Sequence, residues 1–221
     1  MTPEHAALID GEPLPTARVN AFLEAPFRGA GNGATSHNEP EPARRQTEPP
    51  SVARQRRRWA TQVIVTDELA RRACADRGLR IPEEASPASV LAVAETDVAD
   101  LGSIVAAALA HSPAARTLLA ALEAEQRVPE AAVRDYYDRN RDRFLTPDAL
   151  RRGVDPFGET AAPQDLQPYE DVRDGIAREL RQAAGRRAFF GWLDQARHGV
   201  IYTHGHEHPG DPSHPDHEHR H

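Results

Sequence analysis

The segment from Ser51 to Gly78 constrains the fold more than any other part of the chain. Val52, Trp59, Val63, Thr66, Ala70 and Ala73 recur at spacings of seven, four and three. That rhythm puts them along one side of a single long helix. Ser51 is a capping residue at its start, and Gly78 suits the left-handed position just past its end. A second long helix is expected from Pro168 or Tyr169 to Gly199. Its stripe is Val172, Ile176, Leu180, Ala183, Phe190 and Leu193, supported by Phe189 and Trp192.

Shorter helices fill the middle of the chain. After a break from Glu84 to Ser89, one is expected over Val98–Ala110, with Leu101, Ile104, Val105, Ala108 and Leu109 on its apolar side. Ser112-Pro113 is a cap followed by a first-turn proline, opening a helix that carries Leu118, Leu119 and Leu122. Val128-Pro129-Glu130 opens another, with Val133, Tyr136 and Tyr137 inside it, and a charged turn leads on to Phe144. Leu145 to Pro168 is mixed polar, Pro and Gly, and reads as a loop.

The two ends of the chain complement each other. Ala6 to Asp10 reads as a short strand, with Gly11 in the turn after it. Thr16 can cap a helix through Val19, Phe22 and Leu23. Val200, Ile201 and Tyr202 are β-branched or aromatic and suit a short strand. Pairing it with Ala6–Asp10 would satisfy backbone groups on both. The fold class expected is therefore mainly α, a helical clamp with a short strand pair from the two termini. The organisation expected is a strand and helix over residues 1–25, a flexible Gly- and Pro-rich linker over 26–50, a helical domain over 51–203 and a disordered tail over 204–221.

That tail, HGHEHPGDPSHPDHEHRH, holds seven of the eleven histidines: His204, His206, His208, His214, His217, His219 and His221. Imidazole suits zinc, copper and nickel, and Glu207, Asp211, Asp216 and Glu218 can add oxygen ligands. With almost nothing apolar to bury, the segment is not expected in a folded core. Pro209, Pro212 and Pro215 prevent a helix that would align histidines four apart. The irregular spacing and lack of cysteine depart from a closed structural zinc site and point to overlapping, exchangeable chelates. The competing reading is a solvated tail that binds metal only in vitro.

Composition narrows the function classes. The net charge of −7 argues against a general nucleic-acid binder. Cys74 is alone, so no disulfide framework is expected, and a buried small hydrophobe suits it better than a nucleophile. No stretch approaches a membrane-spanning length and no signal peptide is visible, so a cytoplasmic location is the expectation.

Four further features have bland readings. Arg54, Arg56, Arg57 and Arg58, beside Trp59, form a basic cluster that suits phosphate, but arginine stems covering a core edge explain it as well. Tyr136 and Tyr137 cannot face one cleft, so one is expected in the core and the other at the surface. His111 is expected at a helix C-terminus, where a cation is favoured. GAGNG at Gly29–Gly33 lacks the lysine and the strand–helix setting of a phosphate loop. With no nucleophile elbow and no H-E-x-x-H, no catalytic residue and no organic cofactor are assigned.

Three segments carry a family resemblance: RRRWATQVIVTDELARRACADRGL, VPEAAVRDYYDRNRDRF and YEDVRDGIARELRQAAGRRAFFGWLDQARHGVIY. Together they resemble the chaperone portion of parvulin-type peptidyl-prolyl isomerases, the SurA- and PrsA-like folding factors. The run Glu130–Phe144, E-x-x-V-x-x-Y-Y-x-x-N-x-x-x-F, is the most specific piece. EHPGDP, Glu207 to Pro212, looks like the tail of an actinobacterial branch. The resemblance implies that an N-terminal strand and helices pack with a returning C-terminal helix and strand. It also implies an isomerase domain between the Tyr-Tyr helix and the returning helix, where this chain has only Leu145–Pro168, too short for a domain with its own core. The histidine-bearing strand that opens that domain is missing after Arg151-Arg152, so no catalytic residue carries over.

The expected function is a non-catalytic folding or maturation factor with a nickel- or zinc-binding tail. Its partner would be an unfolded or immature client, such as a metalloenzyme, with no nucleic acid and no membrane. The alternatives are metal storage on a helical scaffold and an active peptidyl-prolyl isomerase.

Overall fold

The computed structural model describes residues 4–24, 49–82, 102–158 and 161–207. The linker to residue 48, the Glu84–Ser89 break, Leu101, and His208, His214, His217, His219 and His221 lie outside the described residues. The elements are β1 (His5–Ile9), β2 (Glu12–Pro15), α1 (Thr16–Glu24), α2 (Pro50–Asp76), α3 (Ser103–His111), α4 (Pro113–Ala124), α5 (Glu130–Arg139), α6 (Pro147–Arg152), α7 (Tyr169–Ala196) and β3 (Val200–Tyr202). The fold is mainly α with one small antiparallel sheet, as expected. No single described helix is long and apolar enough to cross a membrane.

The chain divides into two compact units. The first comprises the described residues up to Leu118 together with those from Gly191 onward, and the second is Leu119–Phe190.

The sheet of the first unit has the order β2-β1-β3. The expected pairing of the two ends is present, with Ala7 opposite Tyr202, Leu8 opposite Ile201 and Ile9 opposite Val200. The second strand of the hairpin, β2, was not expected. Ile9 pairs with Glu12 across a two-residue loop in which Asp10 (φ 51°) and Gly11 (φ 84°) are both left-handed. An Asp-Gly pair is suited to that turn because both central residues need positive φ. Pro13 and Pro15 fit because β2 is an edge strand, where a missing N–H costs no ladder bond.

Helix α2 packs against β1, α1 and α3. From Ala60 to Asp67 every residue is buried, so the one-sided stripe expected from spacing gives way to a helix covered all round. Val52, placed on that stripe by spacing, is exposed. The helix starts at Pro50, with Pro49 before it and no side-chain cap, so Ser51 lies inside the first turn and is not the cap. Its end is as expected. Gly78 (φ 63°) donates to the Ala75 carbonyl and Leu79 to that of Cys74, closing the last turn. Phe22 and Trp59 pack on Val63, Ala107 and Ala108. Arg18 reaches from α1 to Asp67 and Glu68, and Arg72 joins Glu68 to Glu12 of the hairpin. Helix α3 begins at Ser103, with Gly102 (φ 73°) before it in a left-handed conformation, and the expected start over Val98–Leu101 lies outside the described residues. Ser112 caps α4 by accepting from the Ala115 N–H at 2.9 Å.

The second unit is built on aromatic packing. Val133, Tyr137, Phe144, Tyr169 and Ile176 form its buried cluster. Tyr137 stacks on Phe144 at 5.0 Å and meets Tyr169 edge-on at 5.5 Å, while its hydroxyl donates to the Gln167 carbonyl at 2.6 Å. Tyr136 is half-buried and its hydroxyl donates to Glu179, so the two tyrosines divide as expected. The stretch Leu145–Pro168 is not simply a loop. Leu145 and Leu166 form an antiparallel bridge, with Thr146 N–H donating to the Asp165 carbonyl at 2.8 Å and Gln167 N–H to that of Phe144 at 2.7 Å. Between these stems lies α6, capped by the Thr146 hydroxyl and ended by left-handed Gly153. Along α7 the buried positions are Tyr169, Ile176, Gly185, Phe189 and Leu193; Ala183 is exposed and Phe190 only half-buried. A Cβ on Gly185 would stand 2.8 Å from the Glu123 Cα, so this glycine permits close approach to α4. The helix gives way after Ala196 to a 3₁₀ turn, Arg197–Gly199, rather than running to Gly199.

Candidate metal-binding tail and its anchor

The fold does not stop at Thr203. After β3, Thr203 N–H donates to the Ala6 carbonyl at 3.0 Å, and a turn with Gly205 at φ 89° follows, closed by His206 N–H donating to the Thr203 carbonyl at 2.9 Å. This turn lays His206 and Glu207 on α2. Both are buried, which corrects the expectation that the histidine-rich segment from His204 stays outside the fold.

Thr61 lies on the covered middle of α2. Its hydroxyl donates to the Arg57 carbonyl at 2.8 Å and stands 2.8 Å from His206 Nδ1. A hydroxyl has one proton, so Thr61 donates either to the carbonyl, with Nδ1 of His206 carrying the hydrogen of the second bond, or to a bare Nδ1, according to the ring's tautomer. Burial, joined by the nearby Arg57 guanidinium and opposed by Glu207, holds the His206 pKa below its ordinary value, so the ring stays neutral. One residue on, the Gln62 Oε1 accepts from the Tyr202 hydroxyl at 2.9 Å, tying β3 to the same helix.

Glu207 turns back on its own loop. Its two oxygens accept from the Gly205 N–H at 2.9 and 2.8 Å, and Arg58 Nε stands 3.7 Å away, close enough for charge attraction but not for a hydrogen bond. Burial would raise its pKa, but the backbone N–H bonds, His204 and Arg58 together outweigh that and hold it below the usual carboxylate range. His204 Nδ1 lies 3.2 Å from Glu207 Oε1, while 92% of the His204 side-chain surface remains exposed.

Two of the seven expected metal ligands are thus described, in opposite settings: His204 outside and His206 inside. Glu207, expected as an oxygen ligand, spends its oxygens on the loop backbone. Among the described residues no group of three or more His, Cys, Asp or Glu side chains could hold a metal ion. Thr61, Gln62 and Arg58, which receive the tail, were not identified from sequence as a site. Thr61 and Gln62 fall between the stripe positions Trp59 and Val63, and Arg58 belongs to the basic cluster, whose stems can cover a core edge.

The remaining candidates have structural settings. Cys74 is buried with Sγ 3.4 Å from the Ala114 carbonyl oxygen, and burial pushes its thiol pKa up, away from nucleophilic use. His111 ends α3 as expected and packs edge-on to Phe22 at 4.9 Å. Burial lowers its pKa, so it sits there as a neutral ring rather than the expected cation. In the basic cluster Arg54 and Arg56 are exposed, whereas Arg57 and Arg58 are half-buried beside the tail. No family model, curated protein or solved structure matches this chain.

Proposed function

We propose that the chain is a non-catalytic, chaperone-like folding or maturation factor whose C-terminal tail binds a divalent metal, nickel or zinc. One observation carries the chaperone half: Leu145 and Leu166 pair directly. The Tyr-Tyr helix therefore leads back to α7 through a short excursion whose described residues bear α6 and a 3₁₀ turn, Pro163–Asp165, at the place where the resemblance implies an isomerase domain. The pairing of β1 with β3 supports the same reading, because the resemblance implies a returning helix and strand. The excursion also exposes Leu150 and Phe157, apolar side chains of the kind a client segment can contact.

The metal half rests on the histidines beyond Glu207, on residues such as nickel and zinc prefer, and on the exposed ring of His204. Chelation uses neutral imidazole, so affinity should fall as pH drops below about 6.5. The test is calorimetric titration of nickel and of zinc into the full chain and into a chain ending at Glu207, alongside suppression of client aggregation. Loss of tight binding in the shortened chain, with aggregation still suppressed, supports both halves. Equal weak binding by both chains removes the metal half. Several metal ions per chain with no effect on any client favours metal storage on a helical scaffold instead.

A further inference from the structure

We infer that a groove along α7, over Gly175, is a docking site for an extended client segment that carries apolar side chains beside an acidic one. The inference rests on the chaperone reading above and names the kind of segment that would be held.

The groove has a volume of about 440 Å³ and lies within the second unit. Phe144, Val172 and Ile176 make its floor apolar, with Arg178 and Glu179 at its edge. Its lining runs along α7 from Val172 to Gln182. That is about 15 Å of helix, the span of about four or five residues of extended chain.

Gly175 points to close approach by another chain. A glycine inside a helix weakens it relative to alanine. Gly185 has a structural reason, since a Cβ there would press on Glu123. Gly175 has no such reason among the described residues. Its φ is not positive, and a Cβ built on it meets nothing within 4 Å. The missing side chain leaves bare backbone in the groove, where a ligand's main chain can come near.

Charge selects the ligand. Both oxygens of Glu179 are taken, because Arg143 donates to them at 2.8 and 3.1 Å and the Tyr136 hydroxyl adds a bond at 2.9 Å. Arg178 beside it is exposed and has no ion pair among the described residues. The groove therefore offers a cation to its occupant. A segment with Leu-like and Glu-like side chains fills the floor and pairs with Arg178, whereas a basic segment meets repulsion and finds Glu179 neutralised.

The test uses the full chain and three labelled peptides, read by fluorescence anisotropy: one alternating Leu and Glu, one alternating Leu and Lys, and one alternating Ser and Glu. Suppression of aggregation of a chemically denatured protein is measured alongside. The Leu-Glu peptide should bind about two- to fivefold more tightly than Leu-Lys, and Ser-Glu should not bind. The net charge of −7 would favour the Lys peptide at long range, so a preference for Glu reports a local cation. Arg178→Glu should reverse the preference. Gly175→Ala should melt no lower than the parent, yet bind Leu-Glu about fivefold more weakly, because its methyl stands in the groove. A Glu preference that survives Arg178→Glu, or unchanged binding by Gly175→Ala, would overturn the site. So would a dimer of the free chain, seen in sedimentation, that Gly175→Ala weakens, since the groove would then belong to a second copy. No peptide binding with aggregation still suppressed overturns the groove and leaves the chaperone reading standing. The expected peptide pattern without any suppression supports the groove and removes the chaperone reading.

Discussion

The middle of α2 and the start of α7 are both in long helices, yet they relate to their surroundings in different ways. In the second unit α7 turns one side, Val172 and Ile176, to the aromatic cluster of Tyr137, Phe144 and Tyr169, with Arg178 and Glu179 exposed. In the first unit α2 is covered on every side, and its cover includes polar groups: Thr61, Gln62 and Thr66 are fully buried. A helix buried on one face depends on apolar volume. A helix buried all round must also satisfy whatever polar atoms it takes inside. Packing should therefore dominate the second unit, and the hydrogen bonds to the tail should matter in the first.

The sharpest way to break this contrast is Tyr137→Ala. It empties the centre of the aromatic cluster and should cost about 3–5 kcal/mol. Amide exchange should accelerate across Leu119–Phe190; unchanged exchange there would remove the aromatic cluster from its central role. Next is Gly185→Ala. Alanine is the better helix former by about 1 kcal/mol, but the added methyl meets the Glu123 backbone, and overpacking of about 1–3 kcal/mol should win. A higher melting temperature would show that α4 and α7 have room to spare.

Thr61→Val keeps the shape of the side chain and removes only the hydroxyl. It leaves the buried His206 Nδ1 without its hydrogen-bond partner, at a cost of about 1–3 kcal/mol. The faster-exchanging amides should include Tyr202 and Thr203, and exchange in the second unit should stay as it was. The smallest effect concerns His111. Its neutral form is favoured in the fold by burial, against the pull of Asp67 and with the repulsion of Arg71, Arg18 and Arg116. A folded pKa below the unfolded value means that the unfolded chain takes up the proton first. The contribution is complete above about 6.5 and is lost as pH falls through the folded pKa. His111→Gln should flatten that part of the pH–stability curve, and an unchanged slope would assign the acid sensitivity to other groups.

Much of this fold was legible because its signals are local. Ser112-Pro113 caps a helix, Gly78 ends one, and Val200–Tyr202 could find its partner only in another unpaired strand. Tyr136 and Tyr137 had to divide because adjacent helical residues face different ways. Other elements carried weaker signals. β2 is four residues long and half proline, and it forms because the Asp10-Gly11 turn places it beside β1. The Thr146-Pro147 cap of α6 stood inside a stretch whose composition suggested a loop. Spacing cannot reveal the full burial of α2, since a helix covered on all sides has no polar face to set a period. The role of His206 was hidden for another reason. In a histidine-rich run each ring looks equivalent, and only the turn at Gly205 and the hydroxyl of Thr61 separate the buried one from its neighbours.

The boundary between fold and tail is best tested by melting three chains side by side: the full chain, one ending at Glu207 and one ending at Thr203. With His206 and Glu207 as the anchor, the chain ending at Glu207 should melt with the full chain, and the one ending at Thr203 should melt several degrees lower, since about 1 kcal/mol shifts the midpoint of a domain this size by about 2–8 °C. Equal melting of all three would contradict the anchor and return the whole histidine segment to the tail.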